Sequence, residues 1–336
     1  MDPLTQGALG ASLSQAFSKK SHVFIVGLLG FFSGMAPDLD VFIRSESDPL
    51  LFLEFHRQFT HSLIFIPMGG LICAIIFYYL FAKYVKLSFK QTYIYCTLGY
   101  ATHGLLDTCT SYGTQLLWPF TNHRYSWDTV SIIDPILTLP LLMLVVIAVI
   151  KKNSKYALIA FLWVICYQCF GLYQNHRASE IGWQLAEDRG HRPLRLNAKP
   201  TLGNLILWRV IYETEEGFYT DGVRLGLDTK IYAGKLTPKL NVKRDFPWLN
   251  ENSQQAEDIK RFTWFSQGYV SVDPNNPARI IDTRYSLLPN EARGLWSIWI
   301  TPDTGLEKHA EYKMARDVNT NKRSMFFDML FDRKHD

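Results

Sequence analysis

Uncharged apolar runs long enough to cross a bilayer constrain this chain more than any other feature. A membrane-spanning helix needs about 20 mostly apolar residues. Leu63 to Ala82 supplies such a run without a single charge. Val130 to Ile150 is similar, with Asp134 near its start, and Tyr156 to Tyr173 is a third. His22 to Pro37 and Gln91 to Leu106 are shorter and rich in glycine and threonine. They suit helices packed inside a bundle, where small residues let backbones approach. Pro3 to Phe17 is weaker and fits a short or half-inserted helix. The N-terminal stretch has no basic region and no long apolar core ahead of Lys19 and Lys20, so it is not read as a cleaved signal and should stay in the mature protein.

From His176 onward the chain is charged and soluble in character, so its near-zero mean hydropathy averages two unlike halves. With 336 residues there is room for two units. A net charge of +4 without a basic stripe gives no nucleic-acid footprint. All five cysteines lie in or beside the apolar half. Cys166 and Cys169 form a CxxC inside an apolar run, which reads as two small membrane residues a turn apart rather than a redox or zinc pair. The cysteine-free polar half is no disulfide scaffold.

Lysines set the expected orientation. Lys19 and Lys20, then Lys83, Lys86 and Lys90, then Lys151, Lys152 and Lys155 fall between successive apolar segments. Placing all of them in the cytoplasm, as the positive-inside rule asks, lets the segments alternate without conflict. The loops Asp38 to Ser62 and Thr108 to Thr129, and the polar half, are then expected outside. The expected location is a multi-pass protein of a bacterial inner membrane.

Histidines and carboxylates gather on that outer face. Asp38 and Asp40 sit in Pro37-Asp38-Leu39-Asp40 at the end of a membrane segment; alone they read equally as acidic turn residues or a helix cap. His56 and His61 bracket HRQFTH at the mouth of a span. On one helix they would stand about 140° apart, so they need not meet one metal together. His103 and Asp107 are an i, i+4 pair on one helix face, able to offer an imidazole nitrogen and a carboxylate oxygen to one ion. Ionisable groups at membrane depth are costly and are functional candidates by default. Asp134, next to Pro135 at the start of a span, fits a helix cap as well as a site. His176 and Glu180 repeat the i, i+4 geometry, against a reading as a solvated juxtamembrane helix. Arg57 can steady an anionic group. Imidazole with carboxylate suits zinc, with manganese or iron as alternatives. No P-loop, dinucleotide fingerprint or nucleophile elbow is present, so metal-activated water is the economical chemistry.

At these residues the chain resembles a known family. MDPLTQGALG, PDLD, HRQFTHS, HGLLDTCTSYGTQLLWPF and the Asp134-Pro135 step look like the YdjM-type family, described as LexA-binding, inner-membrane-associated metal-dependent hydrolases. The match covers about the first half. NLILWRVIYE, DTRYSLLP and GLWSIWI resemble the extension of longer members. The family is described as distantly related to zinc-dependent phospholipase C and P1-type nucleases, which bind zinc through HxxxD and HxxxE/D pairs. The resemblance implies His103/Asp107 as one pair, His176/Glu180 as a second, and Asp38 or Asp40 with His56 or His61 as further ligands. Members usually carry a histidine after MDPLT, where this chain has Gln6. Either the site has one ligand fewer, or that histidine lay behind the ligands.

From about Lys199 the pattern alternates: LILWRVIY, GFYTDGVRLG, RFTWFSQGYVSVD, ARIIDTRYSLL and GLWSIWITP, separated by turn signals such as Asp221-Gly222 and Asp273 to Pro277. Trp208, Trp264, Trp296 and Trp299 read as core or sheet-face residues. A helix is expected near Gly182 to Pro193, ending at Gly190. The expected fold is mainly α, a membrane helical bundle of about five or six helices, followed by an extramembrane antiparallel β-rich domain. The expected boundaries are 1–175 for the bundle, 176–198 for a helical connector and 199–336 for the β-rich domain. The functional expectation is a membrane metallohydrolase acting on a phosphoester or lipid-borne substrate. Its candidate ligands are Asp40, His56, His61, His103, Asp107, His176 and Glu180, with Asp38, Asp134 and Arg57 beside them. Its partners would be membrane lipid and a small-molecule or lipid-borne substrate. A non-catalytic membrane scaffold that binds other proteins is the alternative. A transporter fits less well, because the ionisable groups cluster at one face and no inverted repeat is visible.

Overall fold

The structure is a computed structural model describing residues 1–302, 305–314 and 320–333. It divides into two units. The first comprises Met1–Ile43, Phe55–Tyr173 and Leu202–Asn204; the second comprises Arg44–Glu54, Gln174–Thr201 and Leu205 onward.

Three helices of the first unit begin at side-chain caps. Asp2 accepts from the Thr5 amide at 2.9 Å and Pro3 follows it, starting α1 (Pro3–Ala16). Helix α2 (Val23–Met35) continues through a 3-10 segment, Ala36–Phe42. The short α3 (Leu51–Phe55), all but its last residue in the second unit, precedes another 3-10 turn, Phe59–His61, and then α4 (Ile66–Leu80) of the first. A capping box between Ser88 and Gln91 opens α5 (Phe89–Cys109). Asp134 caps α6 (Pro135–Ile150), accepting from the amides of Ile136 and Leu137. Helix α7 runs unbroken from Ser154 to Asp188, so the last apolar segment and the first part of the expected 176–198 connector are one helix; Gly190 follows its end at φ +71°, and a strand begins at Arg195.

Among the described residues three helical segments are long and apolar enough to cross a membrane: Lys20–Phe42, Leu63–Leu80 and Ser154–Asp188. Only 22% of the Leu63–Leu80 window is buried by protein, which leaves Met68, Ile72, Ile75 and Ile76 pointing outward, as a lipid-facing helix requires. Helix α5 is different. It packs against α1, α2 and α4, and its His103, Asp107 and Thr108 are fully buried. Close approach makes this possible: a Cβ on Gly10 would lie 2.4 Å from the Gly30 carbonyl oxygen, and one on Gly99 2.5 Å from the same oxygen. Glycine at the crossing therefore brings α1, α2 and α5 into backbone contact around the buried polar groups.

The second unit contains two antiparallel sheets. Strands β1 (Arg195–Pro200), β2 (Leu207–Glu213), β3 (Gly217–Leu225) and β4 (Thr229–Tyr232) pair in sequence, with β5 (Leu236–Pro238) also on β3. Strands β6 (Val270–Asp273), β7 (Asn276–Asp282), β8 (Trp296–Trp299) and β9 (Glu311–Met314) form the other. Helices α8 (Val242–Asp245), α9 (Gln254–Phe265) and α10 (Thr320–Phe331) also belong to it. Trp208 is wholly buried, and Trp296 nearly so.

Two local expectations are corrected here. The start of RFTWFSQGYVSVD is helical, because Ser253 caps α9 and Ala256, Ile259, Phe262 and Phe265 recur every third residue on its buried side. Asp221-Gly222 is not a turn: both lie inside β3, opposite Val210 and Arg209. Arg189 grips the buried Asp221 carboxylate with two hydrogen bonds, at 2.7 and 2.9 Å, which offsets the cost of an acid within a strand.

Candidate metal centre

Four side chains from three segments of the first unit converge. Asp38 comes from the 3-10 segment after α2, His61 from the turn before α4, and His103 and Asp107 from successive turns of α5. One ligand atom from each lies within 4.8 Å of the others. The two imidazole Nε2 atoms are 2.9 Å apart. Asp38 Oδ1 lies 3.4 Å from His61 Nε2 and 3.3 Å from His103 Nε2; Asp107 Oδ2 lies 3.3 and 3.8 Å from the same atoms.

The imidazole tautomers follow from their far sides. His103 Nδ1 is 2.6 Å from the Gly34 carbonyl oxygen, which can only accept, so Nδ1 carries the proton. Thr60 Oγ1 donates to Asp40 Oδ2 at 2.8 Å and is thereby free to accept from His61 Nδ1 at 2.9 Å; Asp40 Oδ2 itself is 3.2 Å from that nitrogen. Each ring therefore turns its Nε2 toward the shared space. Burial opposes a proton on His61, but the carboxylates of Asp107, Asp38 and Asp40 outweigh it and push its pKa up to about 10, so a bound ion would take the place of that proton. Asp107 Oδ2 faces the same space: it is buried, lies 3.3 Å from His61 Nε2, and makes an ion pair with Arg57 Nε at 3.0 Å. Imidazoles and carboxylates converging on one buried spot need positive charge between them, which a proton on His61 or a divalent ion supplies. Histidine ligands oriented from behind by a carboxylate or a backbone carbonyl are the usual support of a metal site. The residues present fit a divalent ion.

The same turn geometry separates the two carboxylates of PDLD. At three residues per turn, side chains two apart point about 120° away from each other. Asp38 faces the imidazole pair. Asp40, fully buried, accepts from the Arg57 amide at 3.0 Å and meets His56 Nδ1 at 2.7 Å. His56 and His61 do not share a helix, because α3 ends at Phe55 and Arg57 turns the chain at φ +64°. That reversal brings their rings to 5.9 Å. Burial, only partly countered by Asp40, lowers the His56 pKa and keeps the ring neutral. Asp38, Asp40 and His56 form a second group with metal-ligand spacing.

Arg57 also donates to Thr110 Oγ1 at 3.0 Å and lies over the Tyr112 ring. Gln6 is fully buried and donates to Asp107 Oδ1 at 2.9 Å, on the carboxylate oxygen turned away from the imidazoles. It thus sits behind a ligand and not among the converging atoms. Asp134 is engaged in capping α6 and accepts from Tyr167 Oη at 2.8 Å. His176 and Glu180 belong to the second unit, pair with each other at 3.2 Å, and are 72% and 60% exposed; neither is in either group. Thr60, the Gly34 carbonyl and Gly104 were not singled out from the sequence. Thr60 lies within HRQFTHS and could have been suspected there; a backbone carbonyl carries no sequence signal.

Replacing Thr60 by valine keeps the shape and removes the hydroxyl that links Asp40 to His61. Zinc affinity, measured by competition with a chromophoric chelator, is expected to fall by about tenfold, the lower end of what loss of such a supporting partner costs. Unchanged affinity would show that Asp40 alone orients the ring.

Three comparisons bear on this arrangement. The model of the family described as YdjM inner membrane protein matches residues 1–178, which contain both ligand groups. The uncharacterized protein YfhP of Bacillus subtilis is 26% identical over 115 residues, 34% of this chain and 33% of YfhP. Inner membrane protein YbcI of Escherichia coli is 26% identical over 107 residues, 31% of this chain and 60% of YbcI. The alignments thus span a third of one relative and three fifths of the other. No solved structure matches. With more than half its length matched, this chain belongs to the YdjM inner membrane protein family.

Proposed function

We propose that this protein is a membrane metallohydrolase whose centre is built by Asp38, His61, His103 and Asp107 and faces the outer side of the inner membrane. The observation that carries the reading is the pair of Nε2 atoms 2.9 Å apart, both turned inward by their Nδ1 partners, with two carboxylates beside them. Zinc suits this donor set best, followed by manganese or iron. A divalent ion held there supplies a Lewis acid.

The chain's own residues divide the remaining work. Gly34 and Asp40 fix the rings. Gln6 holds the rear oxygen of Asp107. Arg57 brings a buried guanidinium to the edge of the centre, suited to an anionic phosphoryl group. Asp38, at 23% side-chain exposure, is the member of the group that solvent reaches, so a substrate enters on its side. The outward orientation rests on the lysine clusters between the apolar segments, and a lipid-borne phosphoester is the substrate class that such a position favours.

The test is hydrolysis of a chromogenic phosphodiester and of short-chain phospholipids by the detergent-purified protein. Zinc- or manganese-loaded protein is expected to turn them over. Removal of the ion by chelation, or His61→Ala, is expected to lower the rate by at least about 100-fold, within the range that loss of one catalytic contributor costs. Equal rates with and without the ion would overturn the reading. Inactivity with the ion bound would point to a scaffold that uses its centre for structure.

A further inference from the structure

The geometry points to a two-ion centre, in which Asp38 bridges a buried inner position (His61, His103, Asp107) and an outer position built by Asp40 and His56. This inference rests on the metalloprotein reading above and deepens it.

Asp38 is the residue common to both groups whose ligand atoms lie within 4.8 Å of one another. A carboxylate has two oxygens and can serve two ions at once. Two-metal sites are suited to displacement at phosphorus, where one ion serves the attacking side and the other the leaving oxygen. The outer position has its own nitrogen donor, which a mere acidic cluster lacks. His56 contributes it, held by Asp40 Oδ1 at 2.7 Å.

The two positions differ in access. The side chains of His61, His103 and Asp107 are wholly buried; in the outer position Asp40 is too, but His56 is 30% exposed and the shared Asp38 23%. They also differ in how firmly their donors are held. The inner imidazoles are fixed by Gly34, Thr60 and Asp40. In the outer position Asp40 is shared: it accepts from the Arg57 amide and Thr60, and it faces both His56 and His61. The outer ion is therefore the weaker and more exchangeable one, and it is the ion that meets substrate first.

The experiment is metal analysis of the full-length protein in detergent after loading with zinc or manganese. Two ions per chain are expected in the wild type, one in His56→Ala, and one after brief treatment with a weak chelator. Manganese-loaded wild type should give the electron paramagnetic resonance signature of an exchange-coupled pair, a readout that needs no variant to fold. One ion in the wild type, unchanged in His56→Ala, would overturn the two-ion inference and leave the metalloprotein reading standing. So would two uncoupled manganese ions that His56→Ala leaves in place. No bound ion in the wild type would overturn both.

Discussion

His103→Ala is expected to empty the inner position, and His176→Ala to leave metal content unchanged. Both histidines stand four residues ahead of a carboxylate, so sequence spacing treats them alike. Their surroundings do not. His103 is fully buried, its Nδ1 proton is committed to Gly34, and its Nε2 faces a second imidazole and two carboxylates. His176 is 72% exposed and, among the described residues, its ion pair is with Glu180. An exposed pair of this kind contributes little even to stability. Loss of a supporting partner costs about 10- to 100-fold in metal affinity, so loss of a direct donor should cost at least about 100-fold. Chelator competition on the two purified variants measures the contrast. Comparable losses in both would mean that the second histidine pair holds the ion after all.

The contrast also marks what the sequence makes legible. An Asp or His at the end of an apolar helix is conspicuous because membrane burial of such groups is costly, and the motifs PDLD, HRQFTHS and HGLLD stand out for that reason. The division between helical and β-rich halves is equally visible, because uncharged runs of bilayer length and alternating β-branched segments are different patterns. What stays hidden depends on local winding and distant partners. Asp40 and Asp38 look interchangeable until the segment is known to be 3-10, which turns them to different sides. Gln6 looks like a missing ligand until α1 is packed on α5, where it holds the rear of Asp107. In the polar half, Asp221 imitates a turn residue because its partner, Arg189, is 32 positions away. The aromatic run Arg261 to Phe265 has strand-like composition, but the cap at Ser253 and the spacing of its buried residues decide for helix.

Gly104→Ala is expected to lower metal affinity by at least about tenfold without unfolding the bundle, because the centre depends on a close backbone approach that only glycine permits. A Cβ on Gly104 would sit 2.1 Å from the His61 carbonyl oxygen. The atom in the way is backbone, so relief requires α5 and the Phe59–His61 turn to separate. The needed displacement is on the order of 1 Å, beyond the roughly 0.5 Å within which a site must hold its geometry. His61 and His103 would be driven apart, since each lies on one of the two separating segments. Stability should change less. Alanine favours the helix over glycine by about 1 kcal/mol, and overpacking costs about 1–3 kcal/mol, so the two effects partly cancel. Leu105→Ala is the matched control: the Leu105 side chain is 44% exposed and, two residues from both His103 and Asp107, lies on the opposite helix face, so metal affinity should not move. Chelator competition and thermal unfolding of the metal-free proteins separate the two quantities. If Gly104→Ala bound metal as tightly as the wild type, the approach of His61 to α5 would not be what sets the spacing of the imidazole pair.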